Sequence, residues 1–174
     1  MSASYIILTR DLGLIRARAQ GIRAVQSRLK GALQEFSYST VAYVRTKAGW
    51  KITTAIPEQN LYTATQDKEV LKIMVRISNT LIRLIVGEEK SQEIFAAVEK
   101  GFVLLSQSTC DSRDIESVTM ARILYALGYI ATDASTETLF RDFSDYSQNI
   151  LDTAKAYRVT LIKAINHGLQ ESHL

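Results

Sequence analysis

Two periodicities divide the chain. In LIRARAQ (14–20), Ile15, Ala17 and Ala19 fall on one side of an extended backbone and Arg16, Arg18 and Gln20 on the other. A helix would scatter those arginines around its circumference, so the alternation predicts a strand. YIILT (5–9) before it is short and β-branched, and DLG (11–13) between them is a turn signal. Gly21 punctuates the run, and IRAVQSRLKGAL (22–33) reads as a loop or broken turn. FSYSTVAYVRTK (36–47), aromatic and β-branched, predicts another strand. AG (48–49) reads as a hairpin turn and WKITTA (50–55) as its returning strand. Several short strands with glycine turns predict a small barrel.

The sole proline, Pro57, marks the expected boundary, and beyond it the spacing becomes helical. Within residues 65–86, Val70, Ile73, Met74, Ile77, Leu81, Leu84 and Ile85 form one stripe spaced by threes and fours, with Gly87 as the stop. A second helix is predicted over 91–107 with Ser91 as its cap. A third covers 111–129, with acids at its positive end and Gly128 as its stop. Residues 135–142 predict a short helix and 143–171 one long final helix. The expectation is an α+β chain, a β-barrel over residues 1–56 followed by an all-α helical domain over 57–174. No heptad run or internal repeat is apparent.

Charge sharpens this division. The 174 residues carry a net charge of +3, but residues 1–55 hold nine basic residues against only Asp11 and Glu35, a net of +7, and the rest nets −4. A basic module joined to a mildly acidic one points to a polyanionic partner. An apolar content of 47% and a charged content of 22% suit a folded chain. No run reaches the roughly 18 apolar residues of a membrane span, and MSASYIILTRDLG lacks the basic start and apolar core of a signal peptide, so a cytoplasmic protein is expected. Cys110 is the only cysteine, so neither an internal disulfide nor a cysteine-cluster zinc site is expected.

Candidate chemistry is sparse. His167 and His173 lie six apart, not at the i, i+4 spacing of a helical metal site. Asp11, Glu35, Asp111, Asp114 and Glu116 sit at expected turns and helix starts, where capping and dipole roles explain them. Nucleotide-loop and nucleophile-elbow motifs are absent. The expectation is therefore no enzyme, no catalytic residue, no metal and no cofactor. What remains is positive charge on strands that also carry aromatics. Such a surface tracks a single nucleic-acid strand, phosphates on cations and bases on rings. Tyr38, Tyr43 and Trp50 are the candidate rings, with barrel core as the rival reading of each. The arginines have a rival reading too, a solvated strand face, but a face made only for solubility gains from interspersed signs.

The constellation Leu8-Thr9-Arg10, Asp11-Leu12-Gly13, Ala19-Gln20-Gly21, Arg23, Ser27-Arg28-Leu29 and Leu33 resembles the amino-terminal domain of RecO, the bacterial recombination mediator. WKITTA resembles that domain's last barrel strand. SQEIFAAVEKGFVLLSQ and RILYALGYIATD resemble the family's Leu/Phe helix and its Gly-Tyr signature. The resemblance covers most of the chain and is weakest in the carboxyl third. It implies an OB-fold barrel followed by a helical domain and binding of single- and double-stranded DNA. It also implies strand annealing, and work with RecR and single-strand-binding protein to load RecA in gap repair. Carried over by position, the DNA surface would include Arg10, Arg16, Arg18, Arg23, Arg28 and Lys30; the strand reading adds Arg45, Lys47, Trp50 and Lys51.

Two departures accompany the resemblance. Residues 1–4 are too few for the strand with which the family begins, so either one barrel edge is open, a partner covers it, or the start is truncated. Many members also carry zinc cysteines after the Gly-Tyr signature, where this chain has ATDASTETLF, so zinc is not expected. Contacts to about five phosphates imply a salt slope of about −3.5 for single strands. In the helical half, Arg76, Arg83 and Arg122 are candidate cations for the acidic tail of single-strand-binding protein. Two other readings stay open: an adaptor whose basic strands meet an acidic protein, and an RNA-binding OB domain.

Overall fold

The computed structural model describes residues 2–20, 29–65, 67–107 and 109–172. Four strands, β1 (Ser2–Thr9), β2 (Gly13–Gln20), β3 (Ser37–Thr46) and β4 (Gly49–Asn60), form one sheet in the order β1-β2-β4-β3. β1 and β2 are an antiparallel hairpin, as are β3 and β4. The hairpins join through a short parallel pairing, with Ala17, Arg18 and Ala19 beside Trp50, Lys51 and Ile52. Parallel neighbours require a crossover, and the connection that makes it here contains the single-turn helix α1 (Leu29–Ala32).

Local chemistry sets both hairpin turns. Thr9 Oγ1 donates to the Gly13 carbonyl at 2.9 Å and accepts from the Leu12 amide at 3.1 Å, while Gly13 takes φ +68°, a value only glycine adopts without strain. The second turn lies at Lys47–Ala48, one residue earlier than expected, because Gly49 already pairs with Thr46 as strand. Beyond Ile52, β4 has β3 as its only strand neighbour among the described residues, which lets the strand continue through Pro57 to Asn60 with no lost ladder bond on its other side.

The alternation in β2 sorts its side chains as the sequence implies. Ile15, Ala17 and Ala19 are buried, and Arg16, Arg18 and Gln20 are exposed. The buried row packs with Ile52, Ala55, Ala32 and Leu33 into a small core on the inner face. The sheet does not close: β1 and β3 are its two edges, and no pairing joins them among the described residues. The architecture is the expected mixed α+β one, with helices beside a sheet that is open rather than closed into a barrel among the described residues. Of the expected loop at 22–33, its end is the helix α1, and residues 22–28 lie outside the described residues.

Helices follow: α2 (Leu61–Ala64), α3 (Lys68–Leu84), α4 (Gln92–Gln107), α5 (Ser112–Ala126), α6 (Gln148–Ala156) and α7 (Arg158–Glu171), with a 3-10 turn at Glu137–Phe140. Asp67 and Asp111 cap α3 and α5 by accepting from the amides of Glu69 and Arg113, and the Ser91 hydroxyl accepts from Ile94 at the start of α4. The expected long helix over 143–171 is instead two helices, broken at Tyr157. The break was hidden because the buried row Ile150, Ala154, Leu161, Ile165, Gly168 keeps helical spacing across it. Just past the break, Arg158 bonds Asp114 at 2.6 Å, so that acid neutralises a cation rather than serving only as dipole partner.

Arg122 is the most unusual core residue. It is fully buried on α5 and donates to three carbonyls, Leu139 at 2.7 Å, Phe143 at 3.1 Å and Asp145 at 2.8 Å, with its guanidinium over the Tyr146 ring. Burial lowers its pKa. The segment ahead of α6 is thereby pinned to the bundle.

The sheet meets the helices through the β1–β2 turn and the start of β3. A Cβ on Gly13 would lie 1.9 Å from the Glu89 carbonyl oxygen, so only glycine permits that approach. Phe36 packs edge-on against Phe102 at 6.0 Å, and its carbonyl accepts from the Leu61 amide at 3.0 Å.

Candidate nucleic-acid interface

The strand register decides which cations share a face. Residues directly opposite in neighbouring strands point the same way. Arg16 lies opposite Ile6 and Arg18 opposite Ser4 in β1, while Arg18 is also beside Lys51 in β4, and Lys51 is opposite Val44 in β3. Arg16, Arg18 and Lys51 therefore stand together on the outer face, the first two exposed and Lys51 half-buried. None of the three is ion-paired among the described residues. Ser2, Ser4, Gln20, Thr40 and Thr54 lie on the same face, as do Ile6, Val44 and Ile56, which are 41%, 46% and 58% exposed. Among the described residues, the one carboxylate that a hydrogen bond ties to this face is Glu58, which accepts from Thr40.

Arg10 and Arg45 lie elsewhere. Arg10, just past β1, faces α4, with Glu99 at 3.8 Å and its guanidinium 5.2 Å from the Phe95 ring centre. Arg45 pairs with Trp50 across β3 and β4 on the inner side. One nitrogen of Arg45 donates to both oxygens of Glu88, at 2.6 and 2.8 Å, and the guanidinium stacks 4.9 Å from the Trp50 ring centre. Trp50 Nε1 donates to the same Glu88 carboxylate at 2.8 Å. These hydrogen bonds, Arg45's first, hold the Glu88 carboxyl below its ordinary pKa. Lys47 is exposed at the tip of the β3–β4 hairpin. Arg23 and Arg28 lie outside the described residues, as does the side chain of Lys30, whose backbone belongs to α1.

The candidate rings are not on the outer face with Arg16 and Arg18. Tyr43 and Trp50 meet edge-to-face at 5.3 Å and pack against the inner core. Tyr38 is half-buried, its phenol raised in pKa by a hydrogen bond to Glu99. The alternation explains this: Tyr43 opposes Ile52, and Trp50 lies beside the buried Ala17, so both belong to the inner row.

Two neighbours of the candidate cations escaped the sequence reading, Glu88 and Glu99. Both lie beyond residue 57, in the segment whose acids net against a separate unit. Only the tertiary fold carries them to Arg45 and Arg10. The EE pair at 88–89 after Gly87 was the available signal, an acidic step at a helix end, where the dipole disfavours it.

In the helical half, Arg122 is unavailable to any partner because three carbonyls consume it. Arg76 is bound by both Glu116 oxygens, at 2.7 and 2.9 Å. Arg83 is exposed near the end of α3 and has no ion-pair partner among the described residues. His167 is exposed on α7, and His173 lies outside the described residues. Among the described residues no cluster of His, Cys, Asp or Glu is placed to hold a metal, and no helix is long and apolar enough to cross a membrane. No protein-family model matches the chain, and no curated protein does.

Proposed function

We propose that this chain is a DNA-binding protein of the RecO kind, which holds single- and double-stranded DNA on the outer face of its sheet and promotes annealing of complementary strands. The observation that carries the reading is the set Arg16, Arg18 and half-buried Lys51 on one face, without ion-pair partners among the described residues. Hydroxyls and an amide surround these cations, and both group types suit phosphate and sugar contacts. A cationic face lowers the repulsion between two phosphate backbones, so complementary strands meet more often. Contacts to phosphates carry little sequence preference.

An OB-like barrel belongs to the same proposal. Support comes from the strand order, the parallel β2–β4 pair and the helix placed between β2 and β3. One further strand laid between the edges β1 and β3 would close the sheet. The helical half serves as a docking base for RecR-like and single-strand-binding partners, with Arg83 the one cation of the three candidates left unengaged. A cytoplasmic setting and the absence of a catalytic step complete the proposal.

A second reading rests on Ile6, Val44 and Ile56, exposed beside the cations. An acidic, apolar peptide would match such a face, which is the adaptor alternative. Filter binding separates the readings, using single-stranded DNA, single-stranded RNA and polyglutamate at two salt concentrations. The chain should bind DNA best, with log K falling against log salt with a slope of about −2 if three phosphates are neutralised. The triple change R16A/R18A/K51A should cost at least tenfold at low salt while leaving circular dichroism unchanged. Equal binding by the triple variant overturns the placement. Preference for polyglutamate establishes the adaptor, and preference for RNA the RNA-binding reading.

A further inference from the structure

Glu88 occupies a position that a phosphate would suit. Its carboxylate accepts from Arg45 through both oxygens and from the Trp50 indole nitrogen, with the Arg45 guanidinium over the indole ring. A guanidinium aimed at two oxygens of one anion, plus a neutral N–H donor, serves carboxylates and phosphates alike. Arg45 reaches Glu88 through one nitrogen only, and its other guanidinium nitrogens have no acceptor among the described residues. A second anion therefore finds donors before the first departs.

The surroundings fit an exchange. Both members of the ion pair remain substantially exposed, so the carboxylate is rehydrated as it leaves. Glu88 lies in the connection between α3 and α4, not within either helix, so moving its side chain breaks no helical hydrogen bond. The cations around the hairpin end are contiguous: Arg18 is beside Lys51 on the outer face, Lys47 stands at the tip, and Arg45 follows on the inner side. A strand running off the outer face around that tip arrives at Arg45.

We infer that Arg45 and Trp50 form a phosphodiester site whose resident occupant in the free chain is the Glu88 carboxylate, which bound nucleic acid displaces. Glu88 thus acts as an internal competitor that weakens binding until enough phosphates engage the outer face. This rests on the DNA-binding reading above, and the test keeps the two apart.

The measurement is titration of a fluorescein-labelled, mixed-sequence single-stranded DNA at low salt, followed by anisotropy and by emission of Trp50, the sole tryptophan. E88Q should tighten binding about two- to fivefold, the range that an exposed ion pair withholds. E89Q removes the same charge one residue away and should change nothing. In the R45A background E88Q should lose its effect, which a long-range charge effect would not. In the unmodified chain, Trp50 emission should change as DNA saturates. If the unmodified chain binds DNA but E88Q binds no tighter, or E89Q tightens equally, or the E88Q gain survives R45A, or Trp50 emission stays constant, the inference is overturned and the DNA-binding reading stands. If neither the unmodified chain nor E88Q binds DNA, both fall together.

Discussion

The sheet and the helical bundle handle arginine in opposite ways. On the sheet, Arg16 and Arg18 stand in water over a thin core in which four of the seven buried apolar residues are alanines, Ala17, Ala19, Ala32 and Ala55. In the bundle, Arg122 lies fully inside a core of Ile, Leu, Val and Phe and donates to three backbone carbonyls. Alanine lets α1 approach the sheet closely but contributes little buried area, whereas each large aliphatic side chain contributes about 1.5–3 kcal/mol. The bundle therefore holds the fold, and the sheet is a charged surface mounted on it. A cation that is spent inside the bundle stabilises, and one that is unspent on the sheet is free for a ligand.

The largest expected effect tests the bundle side of this contrast. Arg122→Met keeps much of the volume but strands the buried carbonyls of Leu139 and Phe143 and frees the half-buried one of Asp145. Leaving a buried acceptor without its donor costs about 1–3 kcal/mol, and here more than one carbonyl loses its donor. Urea unfolding should show that loss as a fall in midpoint. The sheet counterpart, R16A/R18A/K51A, should cost far less, within about 0.5 kcal/mol for each position, as surface substitutions do. Equal losses in the two variants would erase the distinction between spent and unspent arginines.

A middle-sized effect is expected where the two regions join. Gly13→Ala places a Cβ 1.9 Å from the Glu89 carbonyl and asks alanine to adopt φ +68°. The conformation alone costs on the order of 1–2 kcal/mol, and the collision forces the β1–β2 turn away from the loop. The melting temperature should fall, and amides of β1 and β2 should exchange hydrogen faster while those of α5 stay protected. Uniform protection in the variant would mean that sheet and bundle unfold as one, with no weaker region.

How much of this was legible in the chain follows the range of the interaction. The β2 alternation, the α3 stripe and the caps Ser91 and Asp111 depend on neighbours a few residues away, and each was readable. An open barrel edge, by contrast, was one of three alternatives the sequence left, and choosing it needed the pairing of the whole sheet, which no local pattern encodes. The break at Tyr157 was masked by an apolar row that keeps its spacing across it. The site was half legible. Alternation alone put Arg16 and Arg18 on one face. The separation of Arg45 from Lys51 needed the β3–β4 register, because odd and even positions on two strands cannot be matched until the turn is fixed. Arg122 was misjudged because arginine is so seldom buried that sequence reading assigns it to the surface. Glu88 and Glu99 were assigned to a different unit from the cations they neutralise.

The smallest expected effect concerns that last pair of regions, sheet and loop, and is a matter of pH. Glu88 is held below the ordinary glutamate pKa of about 4.3, first by Arg45 and then by Trp50. A carboxyl depressed in the folded chain contributes stability that is fully present above its unfolded pKa and is lost as pH falls through the lower, folded value. The contact should therefore be intact at neutral pH and fail only under acid, below about pH 4.3. Trp50 reads it directly, because protonation removes the charged acceptor from its indole N–H. Emission should shift with a midpoint below that value in the unmodified chain, and the shift should vanish in E88Q. Circular dichroism over the same range separates this local event from acid unfolding. A midpoint at or above about 4.3 would show that Arg45 does not hold Glu88 in solution. The carboxylate would then be free, and the sheet's inner cation as unspent as those outside.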